Sequence, residues 1–239
     1  MTELSSLEAI LEHRASHGLG GRFFGVFPAQ VTSVKDPDGQ ARVRVKLPWS
    51  PDTAGAQYEA WARLATLMAG NNRGSFFVPD VNDEVLVAFE AGDPCRPYVV
   101  GALWNGKDSP PNTMDSAGNN NKRVLRSRNG VKLTLDDTSG SETFIVETPG
   151  GQKITLQDGA GTITLQDSNG NEIQTGPSGV TLQTSATVTI QASQIELTAT
   201  SVTVNAGQTT FSGVVNGSVS VMTPSVLGGS YTPGAGNIL

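Results

Sequence analysis

Val131-Lys132-Leu133-Thr134-Leu135, Ile154-Thr155-Leu156, Ile163-Thr164-Leu165, Val180-Thr181-Leu182, Val188-Thr189-Ile190, Ile195-Glu196-Leu197 and Val202-Thr203-Val204 share one pattern: aliphatic, polar, aliphatic. Successive residues of a strand point to opposite faces, so each unit puts its aliphatic side chains on one face and Thr, Lys or Glu on the other. The later units recur every seven or eight residues. One such strand cannot bury its own apolar face, so the units must stack, and stacking makes an elongated β structure rather than an enzyme cleft. The candidate core of this shaft is Val180, Leu182, Val188, Ile190, Ile195, Leu197, Val202 and Val204.

Composition divides the chain into two kinds of sequence. All three Trp and six of the eight Phe precede residue 110, whereas the last Lys or Arg is Lys153. Beyond Lys153 only Asp158, Asp167, Glu172 and Glu196 carry charge. The front is expected to be a core-forming domain and the back a repeat with a Thr/Gln/Ser exterior. Low charge alone is compatible with disorder, but the regular Val/Ile spacing argues against it. The 28 Gly among 239 residues suit many tight turns, and a net charge of −6 argues against a nucleic-acid partner. One cysteine, Cys95, excludes an intrachain disulfide. The start, Met1-Thr2-Glu3-Leu4, lacks the basic and apolar regions of a signal peptide, and no apolar run is long enough for a transmembrane helix.

Along the chain, Leu4, Leu7, Ile10 and Leu11 predict a helix over 3–16, closed by Gly18 and Gly20-Gly21. Five short strands follow: Phe24 to Val34, Arg42 to Leu47, Tyr58 to Ala69, Asp83 to Phe89, and Pro97 to Trp104. Asp36-Pro37-Asp38-Gly39 marks the turn between the first two. Five strands in such a span suit a small closed barrel of the oligonucleotide/oligosaccharide-binding (OB) type. The expected segments are 1–21 helix and linker, 22–106 barrel, 107–129 linker and collar, 130–205 repeat, and 206–239 a Gly-rich tip.

Pro79-Asp80-Val81-Asn82-Asp83-Glu84-Val85-Leu86-Val87-Ala88-Phe89-Glu90-Ala91-Gly92-Asp93-Pro94, followed by Arg96-Pro97-Tyr98-Val99-Val100-Gly101 and Trp104-Asn105-Gly106, resembles the OB domain of contractile-tail spike proteins. These are phage baseplate assembly protein V (gpV-like) and the VgrG-type spikes of secretion and injection systems. Val34 to Val45 and Pro48-Trp49 resemble the same domain, Lys122 to Gly130 its exit into the spike, and Tyr231 to Asn237 the end of some spikes. The resemblance implies an all-β fold: an N-terminal OB barrel, then an intertwined trimeric triangular β-helix forming a needle. It implies a homotrimer under a baseplate hub that punctures the target cell envelope when a sheath contracts. The site would be a virion tail or an injection-system particle assembled in the cytoplasm. A smooth uncharged shaft also enters a bilayer more cheaply than a charged one. With strands about 4.8 Å apart, ten or so layers would make a shaft of roughly 50 Å.

The residues offer few rivals to a mechanical role. His13 and His17 stand at i, i+4, a metal-sharing spacing, but no third ligand is indicated, and no His follows His17 for the tip iron site of some family members. A separate PAAR-type tip protein is therefore expected, with Tyr231, Thr232, Pro233 and Gly234 as its docking residues. Cys95 beside Arg96 lacks a partner base for nucleophilic chemistry. Asp80, Asp83 and Glu84 could serve glycoside hydrolysis, but the interval between barrel and repeat is too short for a lysozyme domain. Asp136, Asp137 and Asp158 suit turn capping better than Ca²⁺, and Lys122, Arg123, Arg126 and Arg128 a solvated collar better than a phosphate site. No catalytic, cofactor or metal residue is assigned. The rival functions are a trimeric receptor-binding fibre, with only Phe211 and Tyr231 as distal aromatics, and an OB-type binding module.

Overall fold

A computed structural model describes residues 22–51 and 57–217. The predicted helix over 3–16, His13, His17 and the tip residues Tyr231 to Gly234 lie outside the described residues. The fold is all-β, in two compact units that divide after Thr187.

The first unit begins with a closed barrel of β1 (Val26–Ser33), β2 (Val43–Pro51), β3 (Gln57–Leu64), β6 (Glu84–Phe89) and β7 (Pro97–Leu103). Two short strands, β4 (Ala69–Gly70) and β5 (Arg73–Gly74), form a separate hairpin. The barrel order is β1-β2-β3-β7-β6, closed by β6 on β1 and by a short parallel pairing of β3 with β7. Alternation explains the core: Val43, Val45 and Leu47 of β2 point inward with Ala29, Val31, Ala62, Val85, Val87 and Val99. Phe23, Phe27, Trp49 and Phe89 gather at one end with ring centroids 4.8 to 5.9 Å apart. Trp49 Nε1–H donates to Pro28 O at 2.8 Å, so the half-exposed indole keeps its polar atom satisfied. The third strand stops at Leu64 rather than continuing to Ala69, because the chain there leaves the barrel for the β4–β5 hairpin.

The Asp36 turn is held by its side chain. The Asp36 carboxylate accepts from the backbone N–H of Asp38, Gln40 and Arg42 and from the Arg42 guanidinium. The Arg42 bond, and then the backbone donors, hold its pKa well below the usual carboxylate range. A depressed carboxyl pKa adds stability that is complete above the unfolded value, about 4. That contribution disappears as pH falls from there through the lower folded value. Asp36→Ala is expected to lower the barrel's melting temperature by several degrees at pH 7, and the gap to the parent should narrow in a melting series taken down to pH 2.

The second part of this unit is a seven-stranded antiparallel meander: β8 (Lys122–Arg126), β9 (Lys132–Asp136), β10 (Thr143–Glu147), β11 (Lys153–Gln157), β12 (Thr162–Gln166), β13 (Glu172–Gly176) and β14 (Gly179–Gln183). Every strand is five residues long and pairs with its chain neighbours. The first strand, Lys122–Arg126, lies in the stretch expected to be linker and collar. Aspartates close the hairpins: Asp136 accepts from Thr138 N and Oγ1, and Asp167 from the N–H groups of Asn169 and Asn171. Gly161 (φ +58°) and Gly170 (φ +82°) take the left-handed position of their turns, where a side chain would be strained.

In the second unit, Val188 to Asn216 shows no strand among the described residues, although Val188, Ile190, Ile195, Leu197, Val202 and Val204 continue the aliphatic pattern. Among the described residues the pattern is present without a strand partner.

Candidate interaction surface

Register turns the meander into two chemically different faces. Leu125 opposes Leu133, Leu133 opposes Val146, Val146 opposes Ile154, Ile154 opposes Leu165, Leu165 opposes Ile173, and Ile173 opposes Leu182. A second column on the same face runs Leu135, Phe144, Leu156, Ile163, Thr175 and Val180. Residues two apart on a strand share a face, so the two columns form one continuous apolar surface. The opposite face has Val124, Thr134, Ile145, Thr155, Thr164, Gln174 and Thr181 along its middle.

The apolar face is the open one. Leu135, Ile154, Leu156, Ile163, Leu165, Ile173, Val180 and Leu182 are 40 to 75% exposed. Leaving two aliphatic columns in water is unfavourable at about 25 cal/mol per Å², and contiguous exposed apolar faces of this kind mark interaction surfaces. Val180 and Leu182, two of the predicted shaft-core residues, stand on this face; the other six, from Val188 to Val204, follow in the unpaired segment and are likewise exposed. Three members of the face's strands carry little aliphatic alternation and are not evident from the sequence: β8, where charge dominates, β10, where Phe144-Ile145-Val146 run together, and β13, where Ile173 stands alone.

The candidate chemical residues are occupied structurally. Asp80 Oδ1 accepts from Arg128 Nη1 at 2.9 Å, Asp83 Oδ2 from the Asp80 N–H at 2.8 Å, and Glu84 Oε2 from Asn105 Nδ2 at 2.8 Å. Lys122 pairs with Asp136, and Arg123 with Asp137. Cys95 is exposed in a turn, 3.7 Å from the Tyr58 hydroxyl. Burial, then the neighbouring Cys95 and Asp93, push Tyr58 up to about 12. Among the described residues no His, Cys, Asp and Glu group has the arrangement of a metal site, and no helix is long and apolar enough to cross a membrane.

Two family models match the chain in the order of these elements. The Type VI secretion system/phage-baseplate injector OB domain matches residues 27–104, the barrel. The phage baseplate V C-terminal trimerisation domain matches residues 143–210, which takes in β10 to β14 and most of the unpaired segment. The Type VI secretion system spike protein VgrG1c of Pseudomonas aeruginosa is 27% identical over 127 residues, half of this chain but 18% of that protein. The spike protein VgrG3 of Vibrio cholerae is 30% identical over 115 residues, 46% of this chain and 11% of that protein. The actin cross-linking toxin VgrG1 of Vibrio cholerae is 28% identical over 125 residues, 47% of this chain and 11% of that protein. The aligned part therefore spans less than a fifth of the length of these relatives. With an injector OB-domain match followed by a baseplate V trimerisation-domain match in one polypeptide, the chain is similar to contractile-tail spike proteins over both of these segments.

Proposed function

We propose that the chain is the non-enzymatic central spike of a contractile injection machine, acting as a homotrimer that joins a baseplate hub to a tip and punctures the target envelope. The observation that carries this is the open apolar face of the meander, whose β10 to β14 part lies within the region matched by a trimerisation domain. Three copies turning this face inward would form a three-sided prism with an aliphatic interior and the Thr/Gln columns outside. The segment from Val188 to Asn216 would then pair with strands of the other two copies, which accounts for its aliphatic pattern without intrachain strand partners among the described residues.

Function in this arrangement is mechanical. Continuous strand pairing between chains spreads a compressive load over many backbone hydrogen bonds, and no single chain can unfold without its neighbours. The hub would hold the barrel end, and a PAAR-type tip protein would dock on Tyr231 to Gly234. The particle, in a phage tail or a secretion or extracellular system, would be assembled in the cytoplasm.

Native mass by light scattering, with an SDS gel of unheated and boiled sample, tests the reading. A mass of three chains and a trimer band that survives SDS until boiling is the expected result. A monomer would overturn it in favour of an OB-type binding module.

A further inference from the structure

Apart from the meander, a second apolar surface protrudes from the barrel. Between β3 and β6 the chain makes an arm whose tip is the β4–β5 hairpin. Leu67 is 98% exposed, Phe76 78% and Phe77 77%, with Met68 beside them more than half exposed. Four large apolar side chains on so short a segment are not the scattered singles of an ordinary surface. The arm is nevertheless built. Ser75 N–H donates to Met68 O at 2.9 Å, Thr66 Oγ1 donates to Ser75 O at 2.7 Å, and Ala69 pairs with Gly74. Gly74, at φ +151°, leaves no room for a Cβ, which would stand 2.5 Å from Met68 O. The arm therefore presents its aromatics from a fixed frame, at a lower ordering cost than a loose loop.

The barrel also carries an incomplete edge. β7 pairs with β3 only at Tyr98 and Val99, and the last link between them is Ala65 N–H to Val99 O at 2.8 Å. From Val100 to Leu103, β7 keeps β6 on one side, and among the described residues no strand lies on the other. Val100 and Leu103 are exposed there, and Trp104, next in the chain, is 68% exposed. The gap arises because β3 ends at Leu64 and its continuation becomes the arm. Each copy thus carries a projecting apolar arm and, where that arm departs, an apolar edge that lacks a neighbour.

Both features lie toward the start of the meander. The arm returns to the barrel at Pro79-Asp80, and Asp80 is the residue bonded to Arg128 in the β8–β9 turn. Trp104 lines a cleft of about 860 Å³ together with Pro111, Met114, Lys122 and Val124, so the open edge leads to β8. This is the end of the barrel where three chains would be gathered by the trimerisation domain. A contact between two different patches on identical subunits is heterologous, and it closes into a ring when the subunits are related by a closed rotation. We propose that the 66–77 arm of each copy packs Phe76 and Phe77 onto the Val100–Trp104 edge of the next copy, locking three barrels into a ring above the shaft. This rests on the trimeric spike reading and extends it to the barrels, whose interface would be separate from that of the shaft.

Thiol crosslinking in the full chain tests the proposal. In a Cys95→Ser background, Ala69→Cys places a thiol on the arm and Ala102→Cys one on the edge, and neither removes an apolar contact. A short bis-maleimide should then give covalent trimers on boiled SDS gels from the double-cysteine chain and none from either single-cysteine chain. Adding Phe76→Ser and Phe77→Ser should abolish those trimers while the native mass stays at three chains. A double-cysteine protein of three-chain mass that yields only monomer bands, internally linked or not, would overturn the arm exchange and leave the spike reading intact. So would trimers that persist without the two phenylalanines. A native mass of one chain would remove both.

Discussion

Ile163→Asp should convert the three-chain species into separate chains, or abolish its SDS resistance. Ile163 sits mid-sheet in the second apolar column, opposed by Leu156 and Thr175. In the proposed prism its side chain leaves water, and three copies bring three carboxylates to one level of an aliphatic interior. An unpaired buried carboxylate costs several kcal/mol even after relaxation, and three at close range add mutual repulsion. The neighbouring Thr164 supplies the control, since it faces the other side of the same strand. Thr164→Asp should keep the three-chain mass and the SDS-resistant band. If both variants behave alike, or if Ile163→Asp stays an SDS-resistant trimer, the apolar face is not the shared interior.

The second large effect belongs to the barrel. Leu47 is among its largest fully buried side chains, packed with Val31, Val45 and Val85 in one core. Leu47→Ala removes a branched side chain from the packed interior of a closed barrel. The expected loss is about 2–5 kcal/mol. For a domain of this size that corresponds to a melting temperature lower by on the order of 10 °C or more. The shaft has its own strands and, in the proposed assembly, its own core, so the boiling-sensitive trimer band should survive the substitution. Calorimetry showing one transition that shifts as a whole would contradict separate stabilisation of barrel and shaft.

What could be read in the sequence follows from where burial is one-sided. Val43-Arg44-Val45-Lys46-Leu47 is legible because one face of β2 is fully buried and the other is wet. Ile163-Thr164-Leu165 is legible for a related reason: the two faces differ in chemistry although neither is closed within one chain. Phe144-Ile145-Val146 hides its period because Ile145 stands in the Val124–Thr134 column of the polar face, where the surrounding side chains shield it in part. Lys122–Arg126 becomes a strand through its register with β9, a partner that local composition does not announce. The units at Val188, Ile195 and Val202 show the converse: periodicity reports that a segment wants to pair, but not with which chain. The arm is not legible in the sequence because Leu67, Phe76 and Phe77 are exposed, against the usual link between apolar character and burial.

The meander's strict neighbour-to-neighbour pairing also sets an order of events. Every contact from β8 to β14 joins residues a few turns apart in sequence, so loop-closure entropy is small and hairpin can add to hairpin rapidly on one chain. Among the described residues, Val188 to Asn216 have no such local strand partner; in the proposed assembly they can pair only after chains meet. Folding of this chain into the proposed trimer should therefore divide into a fast phase independent of concentration and a slow phase that accelerates with it. Nascent chains would wait between the two phases with a finished sheet and an open aliphatic face, the interval in which aggregation competes with assembly.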